Sequence, residues 1–212
     1  MRILIMLLVV FSPAVSVAEN PTVIIRTSKG DIGVMLYADK SPISVANFLS
    51  YVDAGAYDRN IFHRVIAGFM IQTGGYFEDL SSADVGESLY NEADNGLHNV
   101  RGTLAMARMN EIDSADRQFF INMVDNVFLD HGEESCSRQD EKVLSDARSK
   151  GLFKPQTCKS FGYAVFGEVI SGMEVVDAIE IVDTGSRKSF ADLPLETVFI
   201  ESIMRFETQA SE

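Results

Sequence analysis

Ile32, Val34 and Leu36 alternate with Asp31, Gly33 and Met35, the period-two pattern of a strand with one face buried. Residues 22–28 (TVIIRTS) form a strand-like run before it, and Lys29-Gly30 between the two reads as a tight hairpin turn. The period then changes. Val45, Phe48, Leu49 and Val52 fall at i, i+3, i+4 and i+7, one apolar stripe of a helix. Ser41-Pro42 offers that helix an N-cap and a first-turn proline, and Gly55 a stop. Short apolar segments follow at 61–66, 69–72, 103–107, 118–123, 163–166 and 197–206, with a second short helix expected over 172–181. Many short strands, two distant helices and no strand–helix alternation argue against a doubly wound sheet and predict a mainly-β single domain. The pattern leaves barrel and sandwich equally open.

Residues 1–18 (MRILIMLLVVFSPAVSVA) do not belong to that domain. Arg2, an apolar run over 3–11, and Ser16 and Ala18 at the −3 and −1 positions make the three parts of a secretory signal peptide. The run is shorter than the roughly 20 apolar residues that span a bilayer, so no stable membrane insertion is expected after cleavage. The expected domain is then 19–212. Composition adds exclusions: 46% hydrophobic and 23% charged residues argue against wholesale disorder and against a multi-span membrane protein. Lys and Arg total 18 against 31 Asp and Glu, a net charge of −13, the wrong sign for a nucleic-acid partner. Cys136 and Cys158 are the only cysteines, and an even count in an exported chain predicts a disulfide and a periplasmic location. A zinc site would need four ligands, and His131 is the only histidine nearby. Both cysteines lie in 132–160, a polar stretch with six basic and five acidic residues and a plausible helix over 137–150. Ser137 with Asp140 resembles a capping box there, and Gly151 is a candidate stop. Twenty-nine residues between strands is long for a compact domain, so the segment reads as an insertion.

Covalent and metal chemistry find little support. There are three histidines, His63, His98 and His131, no Gly-x-Ser-x-Gly elbow, no metal-ligand spacing and no glycine-rich phosphate loop, so no cofactor and no metal are expected. Residues 62–75 (FHRVIAGFMIQTGG) are more informative. Strand alternation places Arg64 with Phe62 and Ile66, Met70 with Gln72, and Gln118 with Phe120. Amides and a guanidinium among apolar side chains describe a small apolar pocket with a wet edge. Two plainer readings stand beside it: a rim ion pair for Arg64, and core packing for Met70 and Phe120.

The block FHRVIAGFMIQTGG, then GTLAMAR (102–108), QFFI (118–121), FLDH (128–131) and YAVFGEV (163–169), resembles the cyclophilins, peptidyl-prolyl cis-trans isomerases, nearest their periplasmic bacterial branch. The resemblance spans the chain after the leader except 132–160. It implies a closed eight-stranded antiparallel β-barrel capped by two helices, here with a disulfide-stapled insertion. It implies Arg64 as the catalytic residue and a substrate groove of Phe69, Met70, Gln72, Met106, Ala107, Arg108, Gln118, Phe120, Phe128, Leu129 and Tyr163. Met70, Phe120 and Leu129 would form the proline pocket, with His63 in support. Proline-containing unfolded or flexible polypeptides are the implied substrates, and a monomer is expected. Phe128 replaces the tryptophan of many eukaryotic members, which implies weak cyclosporin binding; Tyr163 replaces their histidine. Ala67 and Thr73 stand where proline and glycine are usual, and Arg117, in place of a small residue, is expected to add charge at the rim. A proline-peptide binding module with little turnover is the rival class, and a plain structural barrel the third. The insertion leaves at 128–129 and returns at 163, so its base should sit at the groove rim, either as a tolerated excursion or as a determinant of substrate choice.

Overall fold

The computed structural model describes residues 20–132, 142, 145–151 and 161–206. The leader at 1–18, Cys136, Cys158 and the Ser137–Asp140 cap lie outside the described residues. Strands β1 (Thr22–Thr27) and β2 (Gly30–Leu36) make the expected hairpin. Helix α1 (Pro42–Asp53) follows, burying Val45, Phe48, Leu49 and Val52, and Gly55 ends it at φ +63. Its cap departs from expectation. The Ser41 hydroxyl donates to the Val165 carbonyl at 2.6 Å, and the Glu92 carboxylate accepts the N–H groups of Ile43 (3.0 Å) and Ser44 (2.8 Å). A remote carboxylate thus satisfies two orphan donors at the positive end of the helix dipole, leaving Ser41 to fasten the helix to a strand.

The next strands are β3 (Arg64–Ile66), β4 (Met70–Thr73), β5 (Thr103–Met106), β6 (Phe119–Asn122) and β7 (Val165–Ser171). Helix α2 (Met173–Glu180) comes next, then β8 (Thr184–Arg187), β9 (Phe190–Pro194) and β10 (Ile200–Phe206). Pattern reading missed the β8–β9 hairpin because TGSR carries no apolar alternation and pairs only with β9. The other eight strands form one antiparallel sheet in the order β10-β1-β2-β7-β5-β6-β4-β3. Its edge strands share no ladder. The segments leading into them are joined by backbone bonds, Arg59 N–H to Ile200 O (2.8 Å), Ile200 N–H to Asn60 O (2.8 Å) and Phe62 N–H to Val198 O (2.9 Å).

Cross-strand register sorts the side chains. Val65, Ile71, Ile121 and Leu104 lie side by side and pack inward with the α1 stripe and with Val176 and Ile179 of α2. Their neighbours Arg64, Gln72, Phe120, Ala105 and Val165 form the matching outward row. The sheet therefore has an apolar interior and, over β3–β4–β6–β5–β7, a second apolar patch on its outer face. Phe62 does not share the Arg64 face as alternation implied. Pairing of β3 begins only at Arg64, residues 59–62 follow the β10 approach instead, and Phe62 joins the interior. Residues 145–148 are helical, inside the expected 137–150 span, and Gly151 follows at φ +66. Among the described residues no helix is long and apolar enough to cross a membrane.

Candidate functional site

The outer patch is built from Met70, Ala105, Phe120, Leu129 and Val165, with Ile66, Phe69, Ala107 and Tyr163 packed around them. A cavity of about 100 Å³ opens onto it, lined by Arg64, Phe69, Met70, Gln72, Ala107, Arg108, Phe120, Leu129 and Tyr163. Nine of the expected residues meet there. Met70 and Phe120 are 1% and 4% exposed and form the floor, and the Tyr163 ring stands edge-on to Phe120 at 5.7 Å. Gln118 sits behind the wall, its Oε1 accepting the Gln72 Nε2–H at 3.0 Å, which orients the Gln72 amide. Phe128 is outside the cavity, 70% exposed and stacked on Phe69 at 5.7 Å. Met106 faces the other way. It alternates with Ala105 on β5, so when Ala105 joins the patch Met106 joins the interior.

Arg64 stands at the lip, its guanidinium 5.9 Å from the Phe69 ring centroid and its Nε 3.8 Å from Asp192 Oδ2 on β9. Both side chains are about 40% exposed (44% and 37%), so the pair is loose and leaves the guanidinium available to a ligand. On the opposite wall Arg108 donates from Nε to the Gly162 carbonyl at 2.9 Å and lies 4.7 Å from the Tyr163 ring centroid. Two cations therefore flank one cavity with an apolar floor.

The wall backbones are held by three buried asparagines that the sequence reading did not single out. Asn126 Nδ2 donates to Phe69 O (2.9 Å) and to Asn122 Oδ1 (2.8 Å). Asn122 Nδ2 donates to Asn99 Oδ1 (3.2 Å), and Asn99 Nδ2 reaches Leu129 O (3.2 Å) and Tyr163 O (3.3 Å). Buried amides with satisfied partners fix geometry in a way apolar packing does not. The only sequence signal was the polar Asn122 ending an otherwise apolar strand. Among the described residues no group of three His, Cys, Asp or Glu side chains is placed to hold a metal ion.

The family model described as "Cyclophilin type peptidyl-prolyl cis-trans isomerase/CLD" matches residues 22–205. This chain belongs to the cyclophilin-type peptidyl-prolyl cis-trans isomerases. It is 43% identical over 195 residues to peptidyl-prolyl cis-trans isomerase A of Dickeya dadantii (strain 3937), covering 92% of this chain and 90% of that one. It is 44% identical over 178 residues to isomerase B of Escherichia coli (strain K12), covering 84% and 95%. A crystal structure of a cyclophilin-type isomerase from Cryptosporidium parvum shares the fold with a TM-score of 0.64 at 23% identity, over 89% of this chain and 99% of that one.

In this cyclophilin Arg117 does not charge the rim as expected. It is 2% exposed, its guanidinium donates to Ala56 O (2.5 Å), Asp84 O (2.7 Å) and Asn60 Oδ1 (3.1 Å), and it lies over the rings of Tyr51 and Tyr57. Carbonyls, an amide and two rings hold the cation inside, a placement that depends on residues 33 to 66 positions away and not on its neighbours. Thr73 is buried too, donating to Ile61 O at 2.9 Å, while Ala67 stays exposed in the β3–β4 turn.

His63 lies behind β3, buried against Tyr76 (4.8 Å) and Phe190 (6.1 Å). Burial lowers its pKa to about 4, with a bond to Ile61 opposing and the Arg64 charge assisting. The folded imidazole is thus neutral where the unfolded one already protonates. Its stabilising contribution is complete above about pH 6.5 and is lost as pH falls towards 4. Between pH 7 and 4.5 this amounts to about 2 kcal/mol. Urea titrations of wild type and His63→Phe at both pH values should show that much less acid loss in the variant; equal losses would assign the acid sensitivity elsewhere.

Proposed function

We propose that this isomerase grips a proline ring in the cavity floored by Met70, Phe120 and Leu129 and twists the preceding peptide bond with Arg64, without covalent chemistry or a cofactor. The observation that carries this reading is a cation at the open lip of a small cavity with an apolar floor, with an oriented amide beside it. Rotation about a peptide C–N bond is opposed by resonance, with a barrier of about 18–20 kcal/mol. X-Pro bonds populate both isomers yet exchange over roughly tens to hundreds of seconds. No bond has to break. A ring seated on the apolar floor displaces water that the floor solvates poorly. Gln72, held by Gln118, and backbone groups at the lip would hold the residue before proline. The Arg64 guanidinium would hydrogen-bond the prolyl nitrogen as it pyramidalises, an interaction available only in the twisted state.

The substrates in this reading are exported proline-containing polypeptides met in the periplasm. The leader at 1–18 and the two cysteines downstream of it support export, with cleavage after Ala18. A Cys136–Cys158 bond would close a 23-residue loop and contribute about 3 kcal/mol in the chain-entropy model. The backbone bonds between 59–62 and 198–200 support closure of the sheet into a barrel. The exposed Phe128, with no indole N–H to donate, supports weak cyclosporin binding, and the domain is taken to act as a monomer. A protease-coupled assay on an X-Pro tetrapeptide tests the function directly. Acceleration well above the uncatalysed rate is expected; binding without acceleration would make the chain a proline-peptide binding module.

A further inference from the structure

Among the described residues of the insertion, Arg148 makes the polar contacts with the body. From the helical turn at 145–148, Arg148 Nη2 donates to Asp113 Oδ1 at 2.5 Å and to the Asn91 carbonyl at 2.9 Å. Its guanidinium lies 5.2 Å from the Tyr90 ring centroid and 5.8 Å from that of Phe161. The Asp113 side chain is 0% exposed, and its Oδ1 also accepts the Asn91 N–H at 2.8 Å. A carboxylate buried this completely is tolerated only when paired. An excursion merely tolerated on the surface would gain nothing by placing its cation there, because an exposed arginine is fully solvated.

The pair reaches the candidate site through direct contacts. Asp113 lies in the connection between β5 and β6, which carries Ala107 and Arg108 at one end and Gln118 at the other. The Asn91 side-chain amide donates to Ile112 O at 3.3 Å and Gly162 O at 3.1 Å. That same Gly162 carbonyl accepts the Arg108 Nε–H, and Arg108 covers Tyr163. Arg148, Asp113, Asn91, Gly162, Arg108 and Tyr163 thus form an unbroken series from the insertion to the wall facing Arg64.

We propose that Arg148 is a positioning residue that sets the Arg108–Tyr163 wall, so that the insertion governs how tightly the groove holds its peptide while leaving bond rotation at Arg64 unchanged. The inference rests on the cavity being the proline site. It assigns the insertion to substrate choice, because a displaced wall changes ground-state and transition-state binding alike. Such uniform effects fall on KM and spare kcat.

The test uses the full mature chain with an X-Pro tetrapeptide and four proteins: wild type, Arg148→Lys, Arg148→Met and the double variant Asp113→Leu/Arg148→Met. The double variant removes both charges of the pair, the buried carboxylate and the half-buried guanidinium, and replaces them with apolar groups of similar length, a change that such pairs commonly tolerate. Arg148→Met and the double variant should raise KM about fivefold with kcat within about twofold, and Arg148→Lys should recover part of the loss. A folded double variant with wild-type KM would overturn the proposal, as would a fall in kcat at constant KM. Failure of the double variant to fold would overturn it too, since the pair would then be required by the fold and not by the wall. A wild-type protein without isomerase activity would sink the underlying reading instead, a result visible before any variant is compared.

Discussion

Arg64→Ala should lower kcat/KM by about 10²–10³-fold, equivalent to about 3–4 kcal/mol of transition-state stabilisation, while the melting temperature stays close to wild type. Two features separate the effects on rate and fold. The Arg64 side chain is nearly half exposed, and its one ion pair, with Asp192, is long and solvated. Exposed pairs of this kind contribute about 0–1 kcal/mol to stability. At the cavity lip the same guanidinium acts where water is partly excluded, so its field is stronger there than on an open surface. The loss should fall on kcat, because the prolyl nitrogen becomes a hydrogen-bond acceptor only once resonance is broken. Stopped-flow coupled assays on wild type and variant at matched folded fraction decide the matter. An unchanged rate would remove Arg64 from the mechanism and return it to the rim ion pair.

The second large effect concerns two neighbours on one strand. Phe119→Ala and Phe120→Ala should each cost about 3–5 kcal/mol of stability, since both delete a buried ring. Their effects on peptide binding should differ. Phe119 points into the interior, edge-on to Phe48 and Tyr57, whereas Phe120 forms the cavity floor against Tyr163. Leucine at each position keeps most of the apolar volume and serves for kinetics if alanine unfolds the chain. Phe120→Leu should raise KM several-fold, and Phe119→Leu should leave it near wild type. Equal KM changes in the two would mean that binding responds to general loosening of the sheet and not to a pocket on its outer face.

Much of this layout was legible along the chain. The alternation in 31–36 and the i, i+3, i+4, i+7 stripe in α1 became the buried faces they described, because each is written by residues close together in sequence. The two-strand phase of Met70 with Gln72 also held, and cross-strand register then set Gln72 beside both Arg64 and Phe120. Where the phase broke, reading failed. Phe62 fell inside because the chain is not yet a paired strand there, and Met106 fell inside because Ala105, too small to stand out in the pattern, is the residue that joins the outer patch.

Residue types and their local period determined the mainly-β domain, the two helices, the motif blocks that mark the family, and most of the side chains that line one cavity. Tertiary structure alone decided which distant groups satisfy the buried polar ones. Glu92 caps a helix that begins 50 residues earlier, Arg117 is absorbed by carbonyls of two other loops, three asparagines tie Phe69, Leu129 and Tyr163 together, and Asp113 meets Arg148 across 35 positions. The physical reason is that alternation encodes only which side of an element is apolar. A charge or amide inside the protein must find its partner in three dimensions, and nothing in the period of its own segment says where that partner will be.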